Sequence, residues 1–129
     1  IPTRVHGILD YLFGIALIAA PFILGFTGGP KQWVMVWLGI IIIVLSLLTD
    51  YEASAVRLIP MPVHLGFDVL AGIFLTMSPW LYDFAYLVSW PHVVLGLALI
   101  IVATLTNSQP SYSVDVSQRS PYPPAERRH

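Results

Sequence analysis

The sequence predicts an all-α membrane protein with four transmembrane helices, arranged as two tandem helical hairpins with pseudo-twofold symmetry about the membrane normal. Three observations carry this prediction: an apolar composition, the positions of the charged residues, and an internal repeat. Of the 129 residues, 57% are hydrophobic and 10% are charged, whereas a soluble domain has about 25% charged residues. Six basic and seven acidic side chains are too few to cover a water-soluble globule of this size, so the composition argues against a soluble protein.

The charged residues leave four apolar stretches free. A helix needs about 20 apolar residues to cross a hydrocarbon core about 30 Å thick. The stretches predict four helices, over residues 6–26, 33–49, 63–84 and 88–106. Buried helices of a soluble bundle would need a polar outer face, and the segment 40–45 has none. We therefore expect residues 1–106 to form a transmembrane domain.

The basic residues predict the orientation in the membrane. Five arginines fall on one predicted side, and they are Arg4, Arg57, Arg119, Arg127 and Arg128. Lys31 alone falls on the other side. Because loops rich in Lys and Arg stay in the cytoplasm, we expect both termini to be cytoplasmic. The four tryptophans lie near the opposite, outer helix ends, where indole rings anchor at the headgroup level.

The chain contains an internal repeat. A shift of 58 residues aligns residues 5–26 with 63–84, with nine identities in 22 positions. A shift of 57 aligns the second helix of each repeat, and the matched pairs are Trp33/Trp90, Leu38/Leu95, Gly39/Gly96, Ile43/Ile100, Leu48/Leu105 and Thr49/Thr106. We place repeat 1 at 5–50 and repeat 2 at 63–107. Each repeat contains two helices, so both must have the same orientation, and the symmetry axis runs along the membrane normal.

Prolines and glycines recur in the two repeats. Pro21 and Pro79 lie late in the first and third helices, where each is expected to bend or end its helix. Ser78 is placed to satisfy a carbonyl that a proline leaves free. Four glycines occupy repeat-equivalent positions that allow close packing of helices, and they are Gly14, Gly39, Gly72 and Gly96.

The second repeat contains Ser78-Pro79-Trp80 and then Trp90-Pro91-His92. With these motifs the chain resembles the SPW-repeat family of small bacterial membrane proteins, over roughly residues 5–107. The first repeat departs from the motifs, since Ala20-Pro21-Phe22 replaces Ser-Pro-Trp and Met35 replaces the histidine. The resemblance implies a two-helix repeat unit in the bacterial cytoplasmic (inner) membrane, and it implies no particular activity.

Two His-x-x-x-Asp motifs are the candidate site: His6 with Asp10, and His64 with Asp68. The spacing of four residues puts both side chains of a pair on one helix face. A carboxylate can fix the tautomer of an imidazole through one ring N–H, which leaves the other nitrogen free for a metal, a haem or a chlorophyll-type magnesium. The symmetry would place the two pairs on equivalent surfaces that can face each other.

The same motifs also have a structural interpretation. Both pairs lie in the first turns of their helices, where a His–Asp hydrogen bond can pin one helix to another and where Asp favours the helix N-terminus. Arg4 is placed to pair with Asp10, and Arg57 with Asp68. We favour the structural role and expect no cofactor. A pigment, haem or metal at the two histidines is the alternative, and proton transfer is a third interpretation.

Other chemistry has little support in the sequence. His92 has no carboxylate four residues later, so we expect it to be solvated at the outer interface, with Asp83 as a candidate neighbour. The chain has no cysteine, which excludes disulfides and thiolate metal sites. A net charge of −1 gives no basis for nucleic-acid binding. No phosphate-binding loop or nucleophile motif is present, so we expect neither catalytic residues nor enzymatic activity.

From Asn107 onward the sequence is rich in proline and serine, and we expect residues 107–129 to form an extended cytoplasmic tail docked on a partner. The favoured function is a non-catalytic accessory subunit that packs against a larger membrane complex, respiratory or photosynthetic. The alternative is a cofactor- or ion-binding membrane protein that uses the two His–Asp pairs. A small oligomeric transporter or channel is the least favoured hypothesis.

Overall fold

A computed structural model of the chain, which describes residues 1–52 and 54–108, contains four α-helices. They are α1 (Thr3–Ile23), α2 (Pro30–Leu48), α3 (Met61–Leu81) and α4 (Trp90–Thr104). The predicted helical fold is confirmed, since the described part of the chain has no β-strand beyond a single bridge between Thr49 and Ile59. Most of the predicted tail, residues 109–129, lies outside the described residues.

Three of the helices, α1 to α3, are long and apolar enough to cross a membrane, and α4 is a shorter apolar helix. The 15 residues of α4 extend about 22 Å at 1.5 Å per residue. Helices α1 to α3 begin two or three residues before the predicted positions. A proline lies at the N-cap or in the first turn of every helix, where its missing N–H costs no hydrogen bond.

Both repeats end their first helix in the same way, just after the internal proline. The N–H of Phe26 donates to the carbonyl of Pro21 at 3.0 Å, and that of Phe84 donates to Pro79 at 2.8 Å. This is a Schellman-type end, which requires a left-handed residue after the helix. Gly25 fills that position in repeat 1 with φ 76°, and Asp83 fills it in repeat 2 with φ 58°. The predicted early helix ends are therefore confirmed.

Ser78 takes up the carbonyl that Pro79 leaves without an N–H partner. Its hydroxyl donates to the carbonyl of Leu75 at 2.7 Å, which is the oxygen four residues before the proline. Repeat 1 has Ala20 at the equivalent position and so has no such donor. The serine of the Ser-Pro-Trp motif thus satisfies the carbonyl that the proline of the same motif leaves without a donor.

Glycines bring the two helices of each hairpin into backbone contact. A Cβ added at Gly39 would lie 2.6 Å from the carbonyl oxygen of Gly14, and one added at Gly72 would lie 2.7 Å from that of Gly96. Both distances are too short for any real side chain. The predicted role of these four glycines in helix packing is confirmed.

The two hairpins, α1–α2 and α3–α4, pack tightly within themselves and touch each other mainly along the α2–α3 seam. A shared core joins them, and it consists of Leu17, Phe26, Val34, Met35, Ile42, Leu75 and Leu99. Leu17 and Leu75 are repeat-equivalent, as are Ile42 and Leu99. Two pairs of repeat-equivalent side chains therefore belong to the same core.

At one end of the bundle, here called the histidine end, α1 and α3 begin and α2 and α4 finish. The C-terminal end of α2 is hydrogen-bonded to the segment that precedes α3, and the C-terminal end of α4 to the segment that precedes α1. Asp50 donates its N–H to the carbonyl of Ile59 at 2.6 Å, and Asn107 donates to that of Ile1 at 2.9 Å. The two bonds are repeat-equivalent. They link the two hairpins on both sides, at the end of the bundle where the polar side chains lie.

A candidate ion-binding cluster between the hairpins

The four side chains singled out in the sequence come together in one buried cluster, here called the His–Asp cluster: His6, Asp10, His64 and Asp68. Each is at most 1% exposed. The strongest contacts cross between hairpins, with His64 Nε2 at 2.7 Å from Asp10 Oδ2 and His6 Nε2 at 2.9 Å from Asp68 Oδ2. Within each i,i+4 pair the corresponding distance is 3.1 Å. The two imidazole rings meet edge to face, with centroids 5.6 Å apart.

The other nitrogen of each ring contacts a threonine at the end of a neighbouring helix. His64 Nδ1 lies 2.7 Å from Thr49 Oγ1, and His6 Nδ1 lies 2.8 Å from Thr106 Oγ1. Each threonine hydroxyl donates its single hydrogen to a carbonyl four residues earlier, at 2.6 Å. Each oxygen must therefore accept from the histidine, so both Nδ1 atoms carry a proton.

This assignment, together with burial, indicates how many protons the centre of the cluster shares. With Nδ1 protonated, a neutral histidine presents Nε2 as an acceptor, and an ionised aspartate also only accepts. Four contacts of 2.7–3.1 Å between acceptors would be repulsive without shared protons. One proton for each His–Asp pair resolves this and makes the whole cluster electrically neutral, as burial away from water requires.

One serine breaks the twofold symmetry. Ser46 donates to Asp10 Oδ2 at 3.0 Å, whereas its repeat-equivalent is Ala103, which has no polar group to offer Asp68. Oδ1 of Asp68 is buried and has no hydrogen-bond partner among residues 1–52 and 54–108. An unsatisfied buried carboxylate oxygen costs free energy, so this atom marks a place where a further partner would be stabilising.

The arginine pairings expected from the sequence are wrong. Asp10 and Asp68 contact histidines, while Arg4 is exposed and Arg57 lies 3.9 Å from Asp50. The carboxylates point into the bundle, where a guanidinium group would need its own burial. Histidine, which can be neutral, satisfies them at a smaller desolvation cost.

His92 is also not where the sequence placed it. It is completely buried rather than solvated, and its Nε2 donates to the carbonyl of Lys31 at 3.0 Å. Its ring lies between those of Phe26 and Phe84, with centroid distances of 5.5 and 4.8 Å. These two phenylalanines are repeat-equivalent, so His92 packs beside the symmetry axis at the end opposite the His–Asp cluster.

The loop after α2 covers the His–Asp cluster. Tyr51 is 1% exposed; its ring lies 6.3 Å from that of His64 and packs where a Cβ on Gly7 would be. Burial raises the pKa of the Tyr51 phenol, so the ring is neutral. The next residue, Glu52, accepts a hydrogen bond of 2.7 Å from the hydroxyl of Thr3. The loop therefore shields this side of the cluster from water.

Thr49 and Thr106 complete the candidate site, and the His-x-x-x-Asp spacing does not predict them. The repeat aligns the two threonines, but the alignment alone indicates no role for either. A usable signal was present, because both are polar, both are identical between repeats, and both stand where an apolar helix ends. Ser46 could not have been found in this way, since its repeat partner is an alanine.

Fold and cluster together define a small helical integral membrane protein built from two related hairpins. Over residues 4–106 the chain matches the SPW repeat domain, and it belongs to that family. Neither the curated proteins nor the solved structures contain a match to it. The resemblance drawn from Ser78-Pro79-Trp80 is thus confirmed.

Proposed function

We propose that the protein is a non-catalytic accessory subunit of a larger protein complex in the bacterial cytoplasmic membrane, with both termini on the cytoplasmic side. The observation that carries the proposal is the contrast between a polar cluster in the interior of the protein and an apolar surface. The histidines and aspartates of α1 and α3 point inward and contact each other, while large apolar side chains of all four helices are exposed. Such a surface suits lipid and the apolar helices of other subunits.

One surface feature favours a partner helix. A groove of about 380 Å³ lies along the α2–α3 seam, and its lining is apolar except for Asp68. Among its residues are Leu38, Ile41, Phe67 and Leu70. Transmembrane helices associate by close van der Waals packing, so a groove that receives side chains is a suitable docking site. The arginine bias of the sequence supports the orientation.

The proposal is tested by isolating the tagged protein from its native membrane in a mild detergent and measuring the mass of the particle. We expect the chain in a complex with other membrane subunits. Leu70→Trp, which fills the groove, should release the chain from the complex. The matched control is Leu12→Trp, because Leu12 is repeat-equivalent and similarly exposed, at 60% against 64%, but does not line this groove.

Recovery of the wild-type chain alone, or only with copies of itself, would contradict the proposal. So would equal retention of the Leu70→Trp and Leu12→Trp variants in the complex, since the groove would then have no role in docking.

A further inference from the structure

We propose that the His–Asp cluster is a structural binding site for one divalent transition-metal ion, with Zn²⁺ as the ion that its donors suit best. The inference goes beyond the accessory role proposed above and does not depend on it. It rests on the geometry of four donor atoms, on charge balance, on the second contacts of the histidines, and on one unsatisfied oxygen.

The four donor atoms lie close enough together to share one metal ion. Nε2 of each histidine and one oxygen of each aspartate lie within 4.8 Å of one another. The four His–Asp distances are 2.7–3.1 Å, whereas tetrahedral ligands of zinc lie about 3.3–3.6 Å apart. To bind the ion, each His–Asp pair would move apart by several tenths of an ångström, and the two nitrogens and the two oxygens, now within 4.8 Å of each other, would take up the same spacing. Two imidazole nitrogens and two carboxylate oxygens are ligands that Zn²⁺ accepts.

The charge of a divalent ion equals that of the two shared protons that it would replace. With one shared proton for each His–Asp pair, the two imidazoles and two carboxylates have a net charge of zero. A divalent ion that displaces both protons to solvent leaves the net charge at zero and gives every donor atom a partner. The two carboxylates of the buried site therefore balance the charge of one divalent ion, and no further counter-charge is needed.

The contacts around the donors are those that metal-binding histidines make. A histidine that binds a metal through one nitrogen usually donates its other ring N–H to a neighbouring oxygen, which fixes the tautomer. The hydroxyls of Thr49 and Thr106 accept those bonds at 2.7 and 2.8 Å. They leave both Nε2 atoms directed at the aspartates, as a shared ion requires.

The spare oxygen of Asp68 is the independent sign of a missing partner. Oδ1 is buried and finds no partner in the described part of the chain, on a side chain that is 1% exposed. Its neighbour Oδ2 is a cluster donor. An ion bound at Oδ2 would neutralise the carboxylate, which lowers the cost of leaving Oδ1 unpaired.

The same geometry selects a small ion over the larger ligands that the sequence left open. A haem or chlorophyll needs a histidine nitrogen that faces an open space, and here each Nε2 faces two carboxylates at 2.7–3.1 Å. Four protein donors also complete a tetrahedral shell. Closed shells of this kind are typical of structural rather than catalytic zinc, and the ion would clamp the two hairpins together.

The test uses the full chain carrying a tag without histidines, purified without chelators. Metal analysis should find one transition-metal ion per chain. After removal of the ion with a chelator, Zn²⁺ should bind again and raise the unfolding temperature, and Co²⁺ should give the absorption bands of a tetrahedral complex. Calorimetry in buffers of different ionisation enthalpy should count about two protons released per ion.

Variants of the same chain separate this site from adventitious binding. Asp68→Asn should abolish binding, and Thr106→Val, which leaves all four donors in place, should weaken it about 10–100-fold. His92→Gln is the matched control, because this buried histidine lies outside the cluster, and it should bind Zn²⁺ as the wild type does. Failure of the stripped wild-type chain to bind Zn²⁺ or Co²⁺ would overturn the proposal, and so would undiminished binding by the Asp68→Asn variant.

Discussion

At the scale of single residues, the His–Asp cluster shows what a spacing can and cannot predict. The four-residue spacing places His6 and Asp10 on one face of α1, and the structure agrees, at 3.1 Å. The shorter contacts, to Asp68 and from His64 to Asp10, cross between hairpins. These contacts depend on how α1 packs against α3. The spacing of residues within one helix does not predict that packing.

The hydrogen bonds of the cluster predict the tautomer of each histidine. In the metal-free protein, Nδ1 of both His6 and His64 should carry a proton, because the hydroxyls of Thr106 and Thr49 can only accept there. His92 should carry its proton on Nε2, which donates to Lys31. Nitrogen NMR of histidine-labelled protein measures these states directly.

The Thr106→Val variant is the control for this assignment. Without the hydroxyl, the His6 Nδ1 proton loses its acceptor, so its signal should shift while that of His64 stays in place. Finding either cluster histidine without a proton on Nδ1 in the wild type would contradict the proton count of the cluster.

His92 was misplaced for a physical reason. A histidine that follows a proline at the start of a helix is ordinarily near water, and the sequence gives no sign of the rings that cover this one. Phe26 and Phe84 come from two different loops. Only the pseudo-twofold packing brings them to the same side chain.

At the scale of helices, the prolines and glycines were the informative residues. Pro21 and Pro79 predicted where α1 and α3 end, because a proline restricts the chain locally. The helix starts were less accurate, since an apolar stretch marks the hydrocarbon region, whereas caps and first-turn prolines set where the helix begins. The glycine positions predicted packing but not which pairs would touch.

Two glycines of α3 provide a matched test of helix packing. Gly72→Ala should destabilise the fold by about 1–3 kcal/mol, because its Cβ would lie 2.7 Å from the carbonyl oxygen of Gly96. Gly66→Ala should be neutral, or stabilising by up to about 1 kcal/mol, since no atom lies within 4 Å of its Cβ and alanine favours the helix. Reversible unfolding in mixed micelles compares the two variants. Equal effects would show that the α3–α4 crossing is not in backbone contact.

At the scale of the whole molecule, the internal repeat determined most of the architecture. Two copies of a two-helix unit in the same orientation require a twofold relation, and repeat-equivalent side chains must then occupy equivalent places. The twofold relation gives His6 and His64 equivalent surroundings. It does not explain the departures from symmetry at Ser46 and His92, each of which has a different residue type in the other repeat.

The central claim is that the two hairpins are joined by buried His–Asp contacts across the symmetry axis. A double-mutant cycle with His6→Gln and Asp68→Asn, measured by unfolding of the full chain, tests it most directly. We expect a coupling free energy above about 1 kcal/mol, because the two side chains touch in a buried site. A control cycle of Asp68→Asn with His92→Gln should be additive, since those residues lie at opposite ends of the bundle. Additivity between His6→Gln and Asp68→Asn would contradict the account.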